Sequence, residues 1–290
     1  MGSGAWTASN YANYTKSVGR KVTTDSSGCL SFMADNMSAQ DIYKSRHIQP
    51  ELNPKNVMRE CCDSEEHPNT IPVILALDVT GSMGGAAIEV AKKLNEVMTK
   101  LYQKVSDVEF CVMGIGDLAY DEAPVQISQF ESDVRIAEQL DKIYFEGGGG
   151  GNSFESYTAA WYCGLRHTSL DCWKRGKKGL IITMGDEPLN PYLSKSGIRT
   201  YIGDYLEADI ETKDLYEEVC EKFDVYHLVV NDRETSARYY EERIQKSFGK
   251  YFDNKHLFTV TLDDIANKIV DIVAGKQETE TITTNTEITW

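Results

Sequence analysis

The chain has 290 residues, of which 41% are hydrophobic and 26% are charged, and its formal net charge is -15. This composition indicates a globular protein with a packed core, and the length suits one large domain with extensions or two small domains. The negative charge disfavours nucleic acid and anionic membranes as partners and favours cations and basic protein surfaces, although the same acidity could serve solubility alone.

The first part of the chain, residues 1 to 69, is rich in Ser, Thr, Asn and Tyr and has few apolar runs. We interpret it as an arm that packs on the main domain, with a short helix predicted over residues 38–43 from the capping-box-like pair Ser38 and Asp41. The sequence shows no signal peptide and no apolar stretch of transmembrane length. Seven scattered cysteines are typical of reduced thiols, so we expect a cytoplasmic protein.

From residue 70 onward, apolar segments alternate with amphipathic ones. The apolar run 71–77 predicts a strand buried on both faces, and the alternating segment 125–130 predicts an edge strand with one face in water. Other strands are predicted at 110–115, 179–184, 225–230 and 257–260. Helices are predicted at 86–102, 132–144, 153–166, 212–223, 236–248 and 262–274.

This order predicts a doubly wound α/β fold over residues 70–275. Its sheet is mostly parallel, with helices on both faces and one antiparallel edge strand. Residues 276–290 form a C-terminal tail, which we expect to be mobile or to add a further edge strand.

Side chains with oxygen atoms gather after several of the predicted strands. They are Asp78, Thr80 and Ser82 after the first strand, Asp117 after the second, Asp186 and Glu187 after the third long strand, and Asn152, Ser153 and Glu155 after the glycine run 147–151. Ligands of an open α/β sheet bind outside the carboxyl ends of the strands, where the strand order reverses. Carboxylates at one rim repel each other unless a cation offsets them, and Mg²⁺ prefers oxygen ligands. The sequence therefore predicts a divalent metal site.

The stretch from Asp78 to Ser82 resembles the metal-ion-dependent adhesion site (MIDAS) of von Willebrand factor type A (vWA) domains, of the stand-alone intracellular microbial type. The resemblance covers about residues 70–275 and implies that Asp78 holds the ion largely through water, while Thr80 and Ser82 bind it directly. Two loops depart from the family pattern. The glycine-rich second loop has no Thr at the expected place. In the third loop of the family an Asp directly follows the Thr, whereas here Met184 and Gly185 separate Thr183 from Asp186.

The resemblance implies a specific set of residues and ions. The metal ligands are expected to be Asp78, Thr80, Ser82, Asn152 and Asp186, surrounded by Asp117, Ser153, Glu155 and Glu187. The expected ion is Mg²⁺, or else Mn²⁺ or Ca²⁺. In the second loop, Asn152, Ser153, Glu155 or a water molecule could replace the missing Thr.

The leading hypothesis is a metal-dependent adaptor or scaffold that binds a carboxylate of a partner protein through the ion. The resemblance implies an AAA+ ATPase or a multiprotein assembly as the partner class. The alternative is a Mg²⁺- or Mn²⁺-dependent phosphoryl or ester hydrolase in which Asp186 or Glu187 is the base. A purely structural protein is a third interpretation. No Ser-His-Asp arrangement stands out in the sequence, so we favour a non-enzymatic role.

Overall fold

The computed structural model describes residues 4–24, 30–33, 43, 45–105, 107–146 and 151–286. Its strands are β1 Lys21–Thr24, β2 Leu30–Met33, β3 Arg59–Cys61, β4 Ile71–Asp78, β5 Val108–Ile115, β6 Val125–Ile127, β7 Thr168–Leu170, β8 Gly179–Gly185, β9 Tyr192–Leu193, β10 Ile210–Glu211, β11 Phe223–Val230 and β12 Leu257–Val260.

The helices are α1 Ala8–Ser17, α2 Ala86–Leu101, α3 Arg135–Leu140, α4 Thr158–Arg166, α5 Thr212–Lys222, α6 Ala237–Phe248 and α7 Ile265–Thr286, with short helical turns at Pro50–Leu52, Asp171–Arg175, Lys195–Gly197 and Ile198–Ile202. The helix predicted at 38–43 lies, except for Tyr43, outside the described residues. None of the helices in the described ranges is both long enough and apolar enough to cross a membrane.

The central sheet has six strands in the order β12-β11-β8-β4-β5-β6. The first five strands are parallel, and β6 runs antiparallel to β5 at the edge. This arrangement confirms the predicted α/β fold class. The chain passes from β4 to β5 on one side and later returns to β8 on the other side. The strand order therefore reverses between β4 and β8, and their carboxyl ends border the crevice where such sheets bind ligands.

Each face of the sheet packs into its own hydrophobic core. Along β4, Val73 and Leu75 belong to one cluster, which includes residues of α2 and α7, while Ile74 and Ala76 belong to the other, which includes residues of α4. All eight residues of β4 are buried. The strand is apolar throughout because successive side chains alternate between two covered faces.

The N-terminal segment contributes side chains to the first of these cores. Trp6, Tyr11 and Phe32 are buried in the cluster that also contains α2. The Trp6 indole donates a hydrogen bond of 3.2 Å to Thr99 Oγ1 on α2, and its ring stacks on Tyr11 with 5.1 Å between centroids. The segment therefore packs on the sheet domain. The division of the chain near residue 70 stays a prediction.

The edge strand differs from its prediction. All three residues of β6 are buried, so the expectation of a face in water was wrong. The polar side chain in its middle, Gln126, donates to the carbonyl of Tyr144 at 2.8 Å and accepts from the Tyr144 backbone N–H at 2.9 Å. A following loop covers the strand and satisfies its polar residue, which alternation alone could not reveal.

Several helix boundaries also differ. The structure begins α3 at Arg135 and α4 at Thr158, later than predicted, and continues α7 to Thr286, where the sequence suggested a mobile tail or a strand. Near its middle, α7 is fixed to the sheet by an ion pair between Lys276 and Asp224 of β11.

Candidate functional site

A row of hydrogen-bonded oxygen atoms joins the carboxyl ends of β4 and β8. Asp78 is completely buried, and its Oδ1 accepts from the Thr80 backbone N–H at 3.0 Å and from Thr80 Oγ1 at 2.6 Å. Ser82 Oγ donates to Asp186 Oδ1 at 2.8 Å, and the Thr80 and Ser82 hydroxyl oxygens are 3.1 Å apart. The structure thus brings together four of the five predicted metal ligands.

The two hydroxyl groups in this row have a specific consequence for binding. A Ser or Thr hydroxyl has one proton to donate and two lone pairs. In this arrangement Thr80 gives its proton to Asp78 and Ser82 gives its proton to Asp186. The close contact between the two hydroxyl oxygens is then left without a proton, so lone pairs on both oxygens are available to a cation.

Asp186 is held by the start of a helix as well as by Ser82. Its Oδ2 accepts from the backbone N–H of Ser236 at 2.5 Å, and Ser236 directly precedes α6. Unpaired N–H groups and the helix dipole stabilise a carboxylate at this position. Burial nevertheless raises the pKa of Asp186. No sequence pattern connected Ser236 with this site, because the two segments are 50 residues apart.

The contacts of Thr183 and Gly185 show how the third loop brings Asp186 to the row of oxygens. Thr183 turns away from the row, and its Oγ1 lies 2.8 Å from Nδ1 of the buried His227. The acid that reaches the row is Asp186, which follows Gly185, the last residue of β8. Gly185 faces Tyr157, and a Cβ atom at this glycine would lie 2.0 Å from the Tyr157 hydroxyl oxygen. The Met184-Gly185-Asp186 turn is thus fitted to Tyr157.

Tyr157 is a site residue that sequence reasoning missed. It is wholly buried, and its hydroxyl donates to Asp78 Oδ2 at 2.8 Å. The residue lies directly before α4, at the end of the second loop. An aromatic residue beside a helix start carries no functional signal in one sequence. The glycine opposite it, Gly185, was the one available indication of a close contact.

In the second loop, Glu155 is the side chain that the structure buries. Its backbone N–H donates to Pro188 O at 3.1 Å, its carbonyl accepts from Asn190 at 3.3 Å, and it is 4% exposed. Within the described residues its Oε2 has no hydrogen-bond partner. Burial and the neighbouring Asp78 carboxyl raise the pKa of Glu155 to about 11.

Asn152 and Ser153 are less buried than Glu155. Both are partly exposed, and the carbonyl of Ser153 accepts from Arg243 at 3.1 Å. In the ranges that the structure covers, neither side chain is hydrogen bonded to the row of oxygens from Asp78 to Asp186. A ligand role for Asn152 stays a prediction.

Further carboxyl groups surround the row. Asp117 is buried, its Oδ1 accepts from Ala119 at 2.8 Å, and its Oδ2 has no hydrogen-bond partner among the described residues. Asp121 Oδ2 accepts from the Asp117 N–H at 2.6 Å, and burial raises the pKa of Asp121 to about 6. Asp117 therefore presents one buried oxygen that is free to bind a ligand.

The electrostatics of the cluster favour a bound cation. Burial, followed by repulsion from Asp186, raises the pKa of Asp78 to about 8 and that of Glu187 to about 7. Arg243 is the basic group that opposes the shift at Glu187. A divalent ion would lower these pKa values by stabilising the charged carboxylates.

The residues fit a hard divalent cation held by oxygen atoms. Among the described residues, no group of three or more His, Cys, Asp and Glu side chains is arranged to hold a metal ion. The candidate set is of another kind, because it combines the two carboxylates with the hydroxyls of Thr80 and Ser82. The six described cysteines are free thiols, and no zinc cluster includes them.

Comparisons with known proteins give a similarity of shape. No protein-family model and no curated protein matches the sequence. The matched solved structures include the pilus adhesin SpaC from Lactobacillus rhamnosus GG, with 10% identity and a TM-score of 0.47 over 76% of this chain and 31% of that one. This chain therefore spans about a third of the adhesin's length.

Two smaller proteins are matched over nearly their whole length. The conserved hypothetical protein BatB from Bacteroides thetaiotaomicron has 14% identity and a TM-score of 0.45, covering 72% of this chain and 99% of that one. The vWF domain of the type V pili tip protein Mfa5 from Porphyromonas gingivalis has 13% identity and a TM-score of 0.41, covering 76% and 97%. Scores below 0.5 at such identities define no function, so the site must be interpreted from its own geometry.

Proposed function

We propose that the chain is a vWA-like module whose MIDAS-like site binds a divalent cation, Mg²⁺ or else Mn²⁺ or Ca²⁺. Asp78, Thr80, Ser82 and Asp186 are the proposed ligands, and Glu155 is the carboxyl group supplied by the second loop. The observation that carries this proposal is the contact of 3.1 Å between the Thr80 and Ser82 hydroxyl oxygens. When Asp78 and Asp186 are ionised, each hydroxyl donates its one proton to a carboxylate, so this pair offers lone pairs to an ion.

The proposed role of the ion is to bind a carboxylate of a partner protein. A divalent ion in an oxygen site keeps positions that water or an external ligand can occupy. His227, which contacts Thr183 on β8, is fully buried and its pKa is lowered to about 3, so it is a neutral core residue and a poor general base. A cytoplasmic location and an AAA+ ATPase or multiprotein assembly as partner remain expectations from the family resemblance.

Thermal unfolding with and without divalent ions tests the metal site. Asp78→Asn and Asp186→Asn are the test variants, and Asp263→Asn is the control because Asp263 is an exposed acid outside the cluster. We expect Mg²⁺ or Mn²⁺ at 100 times its Kd to stabilise the wild type and the control by about 2.7 kcal/mol. The two site variants should lose this gain. Equal stabilisation of all four proteins, or of none, would contradict the proposal.

Partner binding is a separate measurement. A protein captured from lysate in Mg²⁺ should be released by EDTA, bind again when Mg²⁺ is restored, and fail to bind Ser82→Ala. Ser82 is suited to this test because its hydroxyl lies between Thr80 and Asp186. A partner that stays bound in EDTA and to the variant would show that the interaction does not use the ion.

A hydrolase is the second candidate, and the position of Glu187 favours it. This side chain is partly exposed beside the cluster, and its pKa of about 7 suits a general base at neutral pH. A screen of phosphate mono- and diesters with Mn²⁺ tests this function. Turnover that disappears in both Glu187→Gln and Asp78→Asn would favour the enzyme, and no turnover in the wild type would exclude these substrates.

A further inference from the structure

A second charged site lies at the opposite edge of the sheet. A cavity of about 680 Å³ borders the amino-terminal ends of β8, β11 and β12. The acidic cluster lies at the carboxyl ends, and a strand of eight residues such as β4 separates the two edges by about 25 Å. The cavity is therefore independent of the proposed metal site.

The cavity is basic although the chain as a whole is acidic. The basic residues on its wall are Lys177, Lys178, Lys255, His256, Lys268 and Lys276. They come from the turn before β8, the segment before β12, and α7, so they surround the space from several directions. The acidic residues on the wall are Asp224 and Asp271. In a protein of net charge -15, such a concentration of lysines around one cavity is a local reversal of charge.

Asp224 compensates two of these lysines. The Lys178 ammonium group lies 3.9 Å from Asp224 Oδ1, and Lys276 pairs with Oδ2 of the same carboxylate. Lys178 also donates to the Cys220 carbonyl at 2.6 Å. These contacts fix two ammonium groups at the wall and use the charge of Asp224.

The other three lysines lie outside these ion pairs, and Asp271 on the same wall offsets only part of their charge. In the described part of the chain, Lys177, Lys255 and Lys268 form no ion pair within 4 Å with an acidic side chain. The Lys268 ammonium group instead lies 4.4 Å from the centroid of the Phe258 ring. Three like charges around one concave space repel each other, and an anion with several charges would offset them.

We propose that this cavity binds a polyphosphate anion. Lysine binds phosphate as a point charge, and three separated ammonium groups match a ligand whose charges are spread over linked phosphate groups. The volume lies within the range of small-molecule pockets, about 300–1,000 Å³. The shared ligand chemistry is the triphosphate, which either a nucleotide or an inorganic polyphosphate could supply.

The aromatic residues on the wall bear on these two sources. Tyr226 and His256 lie with their ring centroids 4.9 Å apart, and both line the cavity with Phe258. A nucleotide could place its base against these rings, whereas inorganic triphosphate would contact the lysines alone. Tighter binding of ATP than of inorganic triphosphate would identify the nucleotide, and equal binding would identify the phosphate chain as the recognised part.

Isothermal titration calorimetry with ATP and with inorganic triphosphate tests this site. EDTA is present throughout, so that a metal at the acidic cluster cannot contribute. We expect saturable binding of one triphosphate per chain, weakened at least tenfold in the double variant Lys177→Gln/Lys255→Gln. The matched control is Lys213→Gln, which removes an exposed lysine on α5 that pairs with Glu217. Both variants change surface lysines, and circular dichroism and thermal unfolding verify their folds.

Three results would overturn the proposal. The first is a lack of saturable triphosphate binding by the wild type at low ionic strength. The second is an equal affinity of the wild type, the double variant and the Lys213→Gln control. The third is tighter binding of a poly-glutamate peptide than of either triphosphate, which would assign the cavity to an acidic protein segment.

Discussion

The Tyr157 hydroxyl donates to Asp78 Oδ2 at 2.8 Å and accepts from the backbone N–H of Glu187 at 3.3 Å. A single buried side chain thus connects the start of α4, the end of β4 and the loop after β8. The contact exists because Gly185 has no side chain at that point. Tyr157 therefore fixes the relative positions of the three segments that form the candidate metal site.

Removal of this hydroxyl should destabilise the protein. In Tyr157→Phe, Asp78 Oδ2 loses its donor while it stays buried, which costs about 1–3 kcal/mol for an unsatisfied polar group. Urea unfolding in EDTA measures the loss. The control is Tyr251→Phe, at a tyrosine that packs on the Tyr216 ring and whose replacement should change the free energy of unfolding little. Equal effects of the two variants would show that the hydrogen bond to Asp78 is unimportant.

Two substitutions of glycine by alanine should change the stability of the protein in opposite directions. Gly185→Ala places a Cβ atom 2.0 Å from the Tyr157 hydroxyl oxygen, so Tyr157 must shift and stability should fall by about 2 kcal/mol or more. Gly275→Ala lies on α7 with no atom within 4 Å of the new Cβ, and it should stabilise the helix by up to about 1 kcal/mol. Thermal unfolding compares the two. A neutral Gly185→Ala would contradict the tight fit at Tyr157.

Glu155→Gln should separate metal binding from stability. The carboxyl of Glu155 is buried beside Asp78 and its pKa is raised to about 11, so folding favours its neutral form. Because the pKa of Glu155 is higher in the folded state than in the unfolded chain, the free energy of unfolding falls as the pH rises above the unfolded pKa, near 4.5. In EDTA at pH 8, the neutral amide should therefore stabilise the protein by about 1 kcal/mol or more, with a smaller gain at pH 5.

The same variant should respond less to divalent ions. The amide keeps an oxygen but brings no negative charge, so Mg²⁺ should stabilise Glu155→Gln less than the wild type. Thermal unfolding with and without Mg²⁺ at pH 8 measures the difference. The control is Glu207→Gln, at an exposed acid elsewhere on the chain. An unchanged response to Mg²⁺ would exclude Glu155 from the ion's surroundings.

His227 should make the protein sensitive to mild acid. Burial lowers its pKa from about 6.5 to about 3, so the folded state keeps it neutral while the unfolded chain takes up a proton below pH 6.5. Its contribution to stability is present above pH 6.5 and is lost as the pH falls toward 3. The free energy of unfolding of the wild type relative to His227→Phe should fall by about 2 kcal/mol between pH 6.5 and pH 5.

Urea titrations at the two pH values give this relative change, because the other titrating groups are common to both proteins. The phenylalanine keeps a ring against Phe248, whose centroid lies 3.9 Å from that of His227. A pH-independent difference between wild type and variant would show that His227 is protonated without cost.

Local sequence patterns were enough to predict the central sheet and four of the residues in the candidate site. The apolar run from Ile71 predicted β4, and the order of strands and helices predicted the α/β class. Asp78, Thr80 and Ser82 were found because the residues lie within one turn, where spacing in sequence is spacing in space. Asp186 was found because parallel strands end at the same edge of a sheet.

The remaining site residues depend on contacts between distant segments. Tyr157 is 79 residues from Asp78, and Ser236 is 50 residues from Asp186, so no local periodicity could relate them. The burial of Gln126 on β6 was missed for the same reason, since the hydrogen-bond partner of its side chain, the carbonyl of Tyr144, lies 18 residues away in the sequence.

By itself, the sequence determined the six strands of the central sheet and the approximate positions of the helices after residue 70, because hydrophobic periodicity is a local property of the chain. It also determined that oxygen side chains gather at the carboxyl ends, since the direction of each parallel strand follows from the α/β order. Only the tertiary structure decided which of these oxygens touch, that Glu155 rather than Asn152 is buried beside Asp78, and that lysines from separate elements line one open cavity. These features depend on packing between segments far apart in the chain, which a single sequence does not encode in any local pattern.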